Sequence, residues 1–333
     1  MKLSRAGRWA AAGAAAWLVN RRRQVEEVPR ELRTPQLYLP LDLPHPLVAE
    51  ALQRIPIRVP DPEGVEVTRR RVTSPEAFGA DVLIYRAWPQ AAETGAAVLW
   101  IHGGGHVMGS AAIDHELCAW LSRELRLPVV SVDYRLAPRH PFPADLDDCF
   151  AALRWLQENA AELGVDPERI AVAGASAGGG LAAALVQRTH DAGHPVCFQA
   201  LVYPMLDDRT TQIRDHGNRG RFGWTQTSNR VAWQAYLGHP LDEGEDRPYA
   251  APARRADLSG LPPAWIGVGD LDLFLPEDEA YAARLREAGV PCQLDIEPGM
   301  YHAADVFRPE AESMQVFRGK MMDALRRALR ITA

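Results

Sequence analysis

Cysteine is scarce in this chain, with four in 333 residues. Cys118, Cys149, Cys197 and Cys292 are scattered, with no C-x-x-C pair and no Cys/His cluster. That excludes a disulfide framework and a zinc site of ordinary spacing. It predicts four free core thiols in a reducing compartment: Cys118 and Cys149 in helical patterns, Cys197 and Cys292 at strand starts. No apolar run reaches the roughly 20 residues that a membrane-spanning helix needs. The net charge is −6 and no extended basic run occurs past the N-terminus, so nucleic acid is not an expected partner. Neither G-x-x-x-x-G-K-[ST] nor G-x-G-x-x-G is present, which argues against phosphate-cradling loops. There is no internal repeat, and no low-complexity tract beyond alanines near the start. Nothing implies a metal or a cofactor.

What is present is an ordinary globular balance, 47% hydrophobic and 24% charged, enough to fill a sizeable core. The N-terminus has two readings. Lys2, Arg5 and Arg8 precede an apolar run from Trp9 to Val19, and Arg21, Arg22 and Arg23 follow it. One reading is an amphipathic helix of the main domain in a cytoplasmic protein. The other is a signal or membrane-associating segment confined to residues 1–23. Residues 24–64 are polar and proline-rich, with a short helical stretch from Leu47 to Ile55. They read as an arm packed on another body.

Val65–Val72 and Asp81–Trp88 read as strands of a hairpin, turning at Thr73–Gly79. The chain then alternates. Strands are expected at Ala96–Ile101, Pro128–Tyr134, Ile170–Gly174, Phe198–Tyr203, Ala264–Val268 and Cys292–Ile296. Helices are expected at Asp114–Leu125, Pro143–Leu163, Ala177–His190, Glu277–Ala288 and Ser313–Leu329. Between Pro204 and Asp257 the alternation pauses, with one helix at Thr227–Leu237. Continuous apolar strands alternating with helices predict a mostly parallel sheet covered on both faces.

The chemistry gathers where strands end, because ligands of such sheets bind beyond the carboxyl ends of the strands. Gly174-Ala175-Ser176-Ala177-Gly178-Gly179 lies between a strand and a helix, the context of a nucleophile elbow. A serine hydroxyl needs a base, the base needs an orienting carboxylate, and the oxyanion needs donors. His102-Gly103-Gly104-Gly105 follows a strand and exposes backbone N–H groups without side chains in the way. It matches an oxyanion motif whose donors join the N–H of Ala177. Of ten histidines, His302 alone follows both a strand and every candidate acid. His45, His140, His190, His194, His216 and His239 read as loop or surface residues. Asp270 and Asp272 both end a strand, and spacing does not choose between them. Asp278 reads as a charge at a helix start.

Together these segments resemble the hormone-sensitive-lipase family of α/β-hydrolases, the bacterial family IV carboxylesterases. The resemblance covers roughly residues 65–310. It includes His102–Gly105, Asp133-Tyr134-Arg135-Leu136-Ala137-Pro138, Pro141–Ala144, Gly174–Gly179, Tyr203–Arg209, Leu258–Pro263 and Tyr301-His302. It implies an α/β-hydrolase fold, an eight-stranded sheet with helices on both faces and a helical cap. Residues 1–64 would contribute to the cap, 65–204 and 240–333 would form the catalytic domain, and 205–239 would be the cap insertion after strand six.

The resemblance also implies Ser176, Asp272 and His302 as the catalytic triad, with Asp270 the second choice of acid, and Gly104, Gly105 and Ala177 as oxyanion donors. It implies a serine carboxylesterase acting on small esters of short to medium acyl chain. Apart from the resemblance, the sequence leaves a homodimer open. An arylacetamide-type deacetylase or amidase, or a lipase, is the alternative on the same triad, and a non-catalytic small-molecule receptor is the remote one. Three departures stand out. Ala175 occupies a position usually acidic in the family, and Arg139 one usually Glu. His106 occupies a position often aromatic and reads as a pocket wall.

Overall fold

The apolar runs become the interior of one twisted sheet. The computed structural model describes residues 5–53, 59–74, 77–87, 94–241 and 244–331. Helices α1 (Arg5–Glu26) and α2 (Pro46–Gln53) precede the hairpin β1 (Val65–Ser74) and β2 (Ala77–Ala87). Then come β3 (Ala97–Ile101), α3 (His115–Leu125), β4 (Val129–Asp133), α4 (Ala144–Glu158), β5 (Ile170–Ala175) and α5 (Ala177–Asp191). The chain closes with β6 (Phe198–Val202), α6 (Gln226–Leu237), β7 (Ala264–Gly269), α7 (Leu275–Glu287), β8 (Cys292–Glu297), α8 (Ala304–Phe307) and α9 (Glu312–Ala328).

The eight strands run in the order β1-β2-β4-β3-β5-β6-β7-β8. β1 and β2 pair antiparallel, β2 joins β4 antiparallel, and every pair from β4 to β8 is parallel. Strands β3, β6 and β7 are buried throughout, as unbroken apolar runs require. Side chains from α4, α5, α6 and α7 fill the core on one face, and those from α3 and α9 fill the other. The arm joins this second core through Val25, Val28, Leu32 and Leu37, so it is not a separate body. It also touches the segment after β6, where the Leu43 N–H donates to Ser228 Oγ at 2.8 Å.

Several expectations need correcting. The expected helix Pro143–Leu163 is two pieces. α4 ends at Glu158, a 3₁₀ turn spans Ala160–Leu163, and Gly164 at φ 68° ends it in a left-handed conformation open to glycine. The hairpin strands reach further into the turn, while Trp88 and part of Thr73–Gly79 lie outside the described residues. The thiols are not all core: Cys118 and Cys149 are buried, Cys197 and Cys292 only half-buried. Among the described residues no helix is long and apolar enough to cross a membrane.

Candidate active site

Ser176 sits between β5 and α5 at φ 58°, ψ −123°, a strained backbone for a side-chain-bearing residue. The strain is held by the sheet: the Ser176 N–H donates to Val202 O at 2.9 Å, and its carbonyl accepts from Gly180 and Met205 N–H at 3.0 Å. The glycines two residues either side serve close approach rather than φ. A Cβ on Gly174 would stand 2.3 Å from Gly178 O, and one on Gly178 would stand 2.1 Å from Ile101 O. The elbow is therefore pressed against the end of β3.

From that strand end the loop His102–Gly109 folds over the serine. Gly103 lies against Ala175 O and Ser176 Cβ, within 3.0 and 3.3 Å of where its own Cβ would be. Among the described residues, no backbone carbonyl accepts from the N–H groups of Gly104, Gly105 or Ala177. Such free N–H groups are unusual inside a protein and suit a site for developing negative charge. His102 is fully buried and stacks on Tyr134, with centroids 4.2 Å apart. Burial pushes its imidazole below the usual value, so it holds shape as a neutral ring.

Three segments far apart in sequence meet at the serine. His302 Nε2 lies 2.9 Å from Ser176 Oγ, and His302 Nδ1 lies 2.8 Å from Asp272 Oδ2. The other Asp272 oxygen accepts the Phe274 N–H at 3.0 Å. All three side chains are buried. Asp270 is turned away, with Oδ1 accepting the Gly299 N–H at 2.7 Å.

The sequence reading missed most of what surrounds His302. Tyr203 and Phe274 meet its ring edge-on at 4.7 and 5.2 Å, and Trp224 lies 6.3 Å away. Gly223 presses on the His302 carbonyl, where a Cβ would stand 1.9 Å from the oxygen. Tyr203 donates to Asp305 Oδ1 at 2.8 Å, and Asp305 pairs with Arg318. An isolated Tyr or Trp in an irregular stretch carries no spacing that would reveal this.

The three departures are each accounted for differently. Beside Ala175 a cavity of about 250 Å³ is also lined by Asp114, Asp305, Arg318, Tyr203 and Trp100. Carboxyl groups from α8 and from the turn before α3 thus line the same cavity as Ala175. Burial pushes the Asp114 carboxyl up to about 6, against the Trp100 N–H bond that favours its charged form. Arg139 is exposed, and the ion pair near the loop is instead Arg135 with Asp148 at 2.9 Å.

His106 is more than a wall. Its Nδ1 lies 2.8 Å from buried Asp145 Oδ2, its ring stacks on Tyr236 of α6 at 3.9 Å, and its carbonyl accepts the Ala137 N–H. From the arm, Gln53 Nε2 donates to Val107 O at 2.7 Å and Ala137 O at 2.8 Å. The glycine loop is therefore clamped from α4, α6 and α2.

Asp278 differs from its expectation. It is fully buried in the first turn of α7, and neither carboxyl oxygen has a hydrogen-bond partner among the described residues. Burial first, then Glu277, Asp272 and Glu279, hold its carboxyl well above the usual range. It is a buried acid whose ionisation the surroundings oppose, not a solvated helix-start charge.

The profile of a family described as an alpha/beta hydrolase fold matches residues 98–306. Carboxylesterase NlhH of Mycobacterium tuberculosis (strain ATCC 25618 / H37Rv) is 35% identical over 306 residues, covering 85% of this chain and 96% of that protein. The chain belongs to the hormone-sensitive-lipase family of α/β-hydrolases. It is a carboxylic ester hydrolase. The esterase is also 35% identical over 240 residues to an ethyl acetate hydrolase of Pseudomonas putida, covering 69% of this chain and 73% of that one. Among solved structures it superposes on one titled bacterial heroin esterase with a TM-score of 0.80 at 32% identity, over 92% of this chain and 99% of that one.

Proposed function

We propose that this esterase works through an acyl-enzyme on Ser176. The observation that carries this is the unbroken line from Ser176 Oγ through His302 to Asp272. His302 Nε2 takes the hydroxyl proton as Oγ attacks the ester carbonyl. Asp272 keeps the proton on Nδ1 and stabilises the imidazolium that forms. The N–H groups of Gly104, Gly105 and Ala177 receive the oxyanion. His302 then gives its proton to the departing alcohol oxygen as the carbon–oxygen bond breaks. Water attacks the acyl-serine with His302 again as base, which releases the acid and restores Ser176.

In this proposal the arm and the segment 205–239 form a cap over the site, held together by contacts such as that of Leu43 with Ser228. Substrates are small esters of short to medium acyl chain, in keeping with the relative named for ethyl acetate.

An organophosphate is expected to add its mass to Ser176 and to leave folded Ser176→Ala unlabelled. 4-Nitrophenyl acetate and butyrate are expected to outpace the decanoate and an anilide. No adduct on folded protein would remove the acyl-enzyme. Turnover of the anilide alone would point to an amidase, and preference for the decanoate to a lipase.

The donor loop makes its own prediction. Gly105 has φ 61°, and a Cβ there would stand 2.3 Å from Trp224 Cη2. Gly105→Ala must displace the loop or the indole. A fall in kcat of about 10²–10³ is expected, the usual scale for losing an oxyanion donor. Unchanged kcat on 4-nitrophenyl acetate would remove Gly105 from the oxyanion site.

A further inference from the structure

The N-terminal helix does something the active site does not need. Among the described side chains of α1, the anchorage lies near its C-terminal end, where Val25 is fully buried. Arg21 donates to Leu37 O at 2.6 Å and Arg221 O at 2.9 Å, and its guanidinium lies 4.4 Å from the Phe222 ring centroid. Leu18 lies three and seven residues before Arg21 and Val25, so it continues the docked face of the helix beyond its anchorage. There it meets solvent. Trp17, Leu18 and Val19 are 42%, 54% and 55% exposed. The neighbouring arm adds exposed Tyr38, Leu39 and Leu41, tied to α1 where Arg21 reaches the Leu39 carbonyl.

The charge on this segment runs against that of the whole. The chain carries −6, yet Lys2, Arg5, Arg8, Arg21, Arg22 and Arg23 are all basic, and no acid precedes Glu26. A helix with apolar residues between basic clusters, and an exposed tryptophan among them, matches the interface of an anionic bilayer. A second copy of the chain fits poorly, because a two-fold contact through this surface would set the arginines of one copy against those of the other.

We infer that α1, with Tyr38, Leu39 and Leu41, docks the esterase onto an anionic lipid surface. Trp17, Leu18 and Val19 enter the headgroup boundary, while Arg22 and Arg23 meet lipid phosphates. The root of α1 grips Arg221 and Phe222, next to the Gly223-Trp224 segment that covers His302. Docking there brings the cover of the active site close to the lipid surface.

The test is co-sedimentation of the full chain with phosphatidylcholine vesicles, with and without about a third phosphatidylglycerol. Binding is read without turnover, so its outcome is independent of the acyl-enzyme mechanism. The vesicles with phosphatidylglycerol are expected to bind at least about tenfold more tightly, and high salt to weaken the binding. Arg22→Glu with Arg23→Glu, and separately Trp17→Ser with Leu18→Ser, are each expected to lower binding about tenfold or more. Both pairs are exposed, so hydrolysis of soluble 4-nitrophenyl acetate should stay at the wild-type rate and report intact folding. Equal binding to both vesicles, or none to either, would overturn the inference. So would self-association or DNA binding that disappears in these variants while vesicle binding is absent.

Discussion

Asp272→Asn is expected to lower kcat about 10⁴-fold, while Asp270→Asn stays within a few-fold of wild type. The first figure is the usual scale for amidating the acid of a serine triad. The geometry gives the reason. His302 Nδ1 faces Asp272 Oδ2 at 2.8 Å, and Asp272 Oδ1 already accepts the Phe274 N–H at 3.0 Å. An asparagine that keeps its oxygen on Phe274 turns its NH₂ toward Nδ1. The imidazole must then carry its proton on Nε2, where it can no longer accept the Ser176 proton. Among the described residues Asp270 accepts the Gly299 N–H alone, and an asparagine oxygen does the same. Steady-state rates on 4-nitrophenyl acetate, with matched circular dichroism spectra, decide the matter. A large loss in Asp270→Asn with a small one in Asp272→Asn would reverse the assignment.

The largest expected effect on stability is at Asp278. Its carboxyl is fully buried, lacks a partner among the described residues, and is held above the usual range by burial and by neighbouring Glu277, Asp272 and Glu279. The folded chain therefore releases this proton at a higher pH than the unfolded chain, which does so near the ordinary Asp value of about 3.9. A pKa raised on folding means that the native state binds more protons. Its contribution is fully present below the unfolded value and is lost as pH rises toward the folded one.

Asp278→Asn has no proton to lose, so its stability relative to wild type should climb with pH, by up to about 1.4 kcal/mol per pH unit in that window. Glu277 is present in both proteins, where the Leu206 and Asp207 N–H groups donate to its Oε1, so the pH-dependent difference follows the proton that only Asp278 can lose. Urea unfolding at several pH values between about 5 and 8 measures the difference. Parallel stability curves would show that Asp278 is ionised in the folded protein.

How much of the site was legible depended on the range of the pattern. The elbow and the glycine loop are local motifs at strand ends, so they could be read directly. His302 could be read because one topology orders serine, acid and base along the chain. Asp270 and Asp272 could not be separated by local spacing, since both follow the end of β7; the family resemblance chose Asp272, and the turn bringing His302 back over the sheet is what sets that residue against the ring. His106 and Asp145 are 39 residues apart on a loop and a helix start, and no periodicity joins them. Asp278 was misread because an acid in the first turn of a helix is ordinarily solvated, and here the helix start is buried behind Asp272.

By itself, then, the amino-acid order determined the alternation of strands and helices, the parallel sheet that follows from it, and the placement of Ser176, the glycine loop and His302 at strand ends. Each of these is written in residues near one another or in a fixed chain order, and short-range sterics and apolar spacing are enough to specify them. Tertiary structure alone decided which aromatics enclose the histidine, and it supplies the geometry that sets Asp272 rather than Asp270 against the ring. It also decided that carboxylates from α8 and the turn before α3 stand beside Ala175, and that the apolar face of α1 runs past its anchorage into solvent. Those outcomes depend on which distant surfaces are pressed together and which are left uncovered, a property of the packed chain that no local pattern encodes.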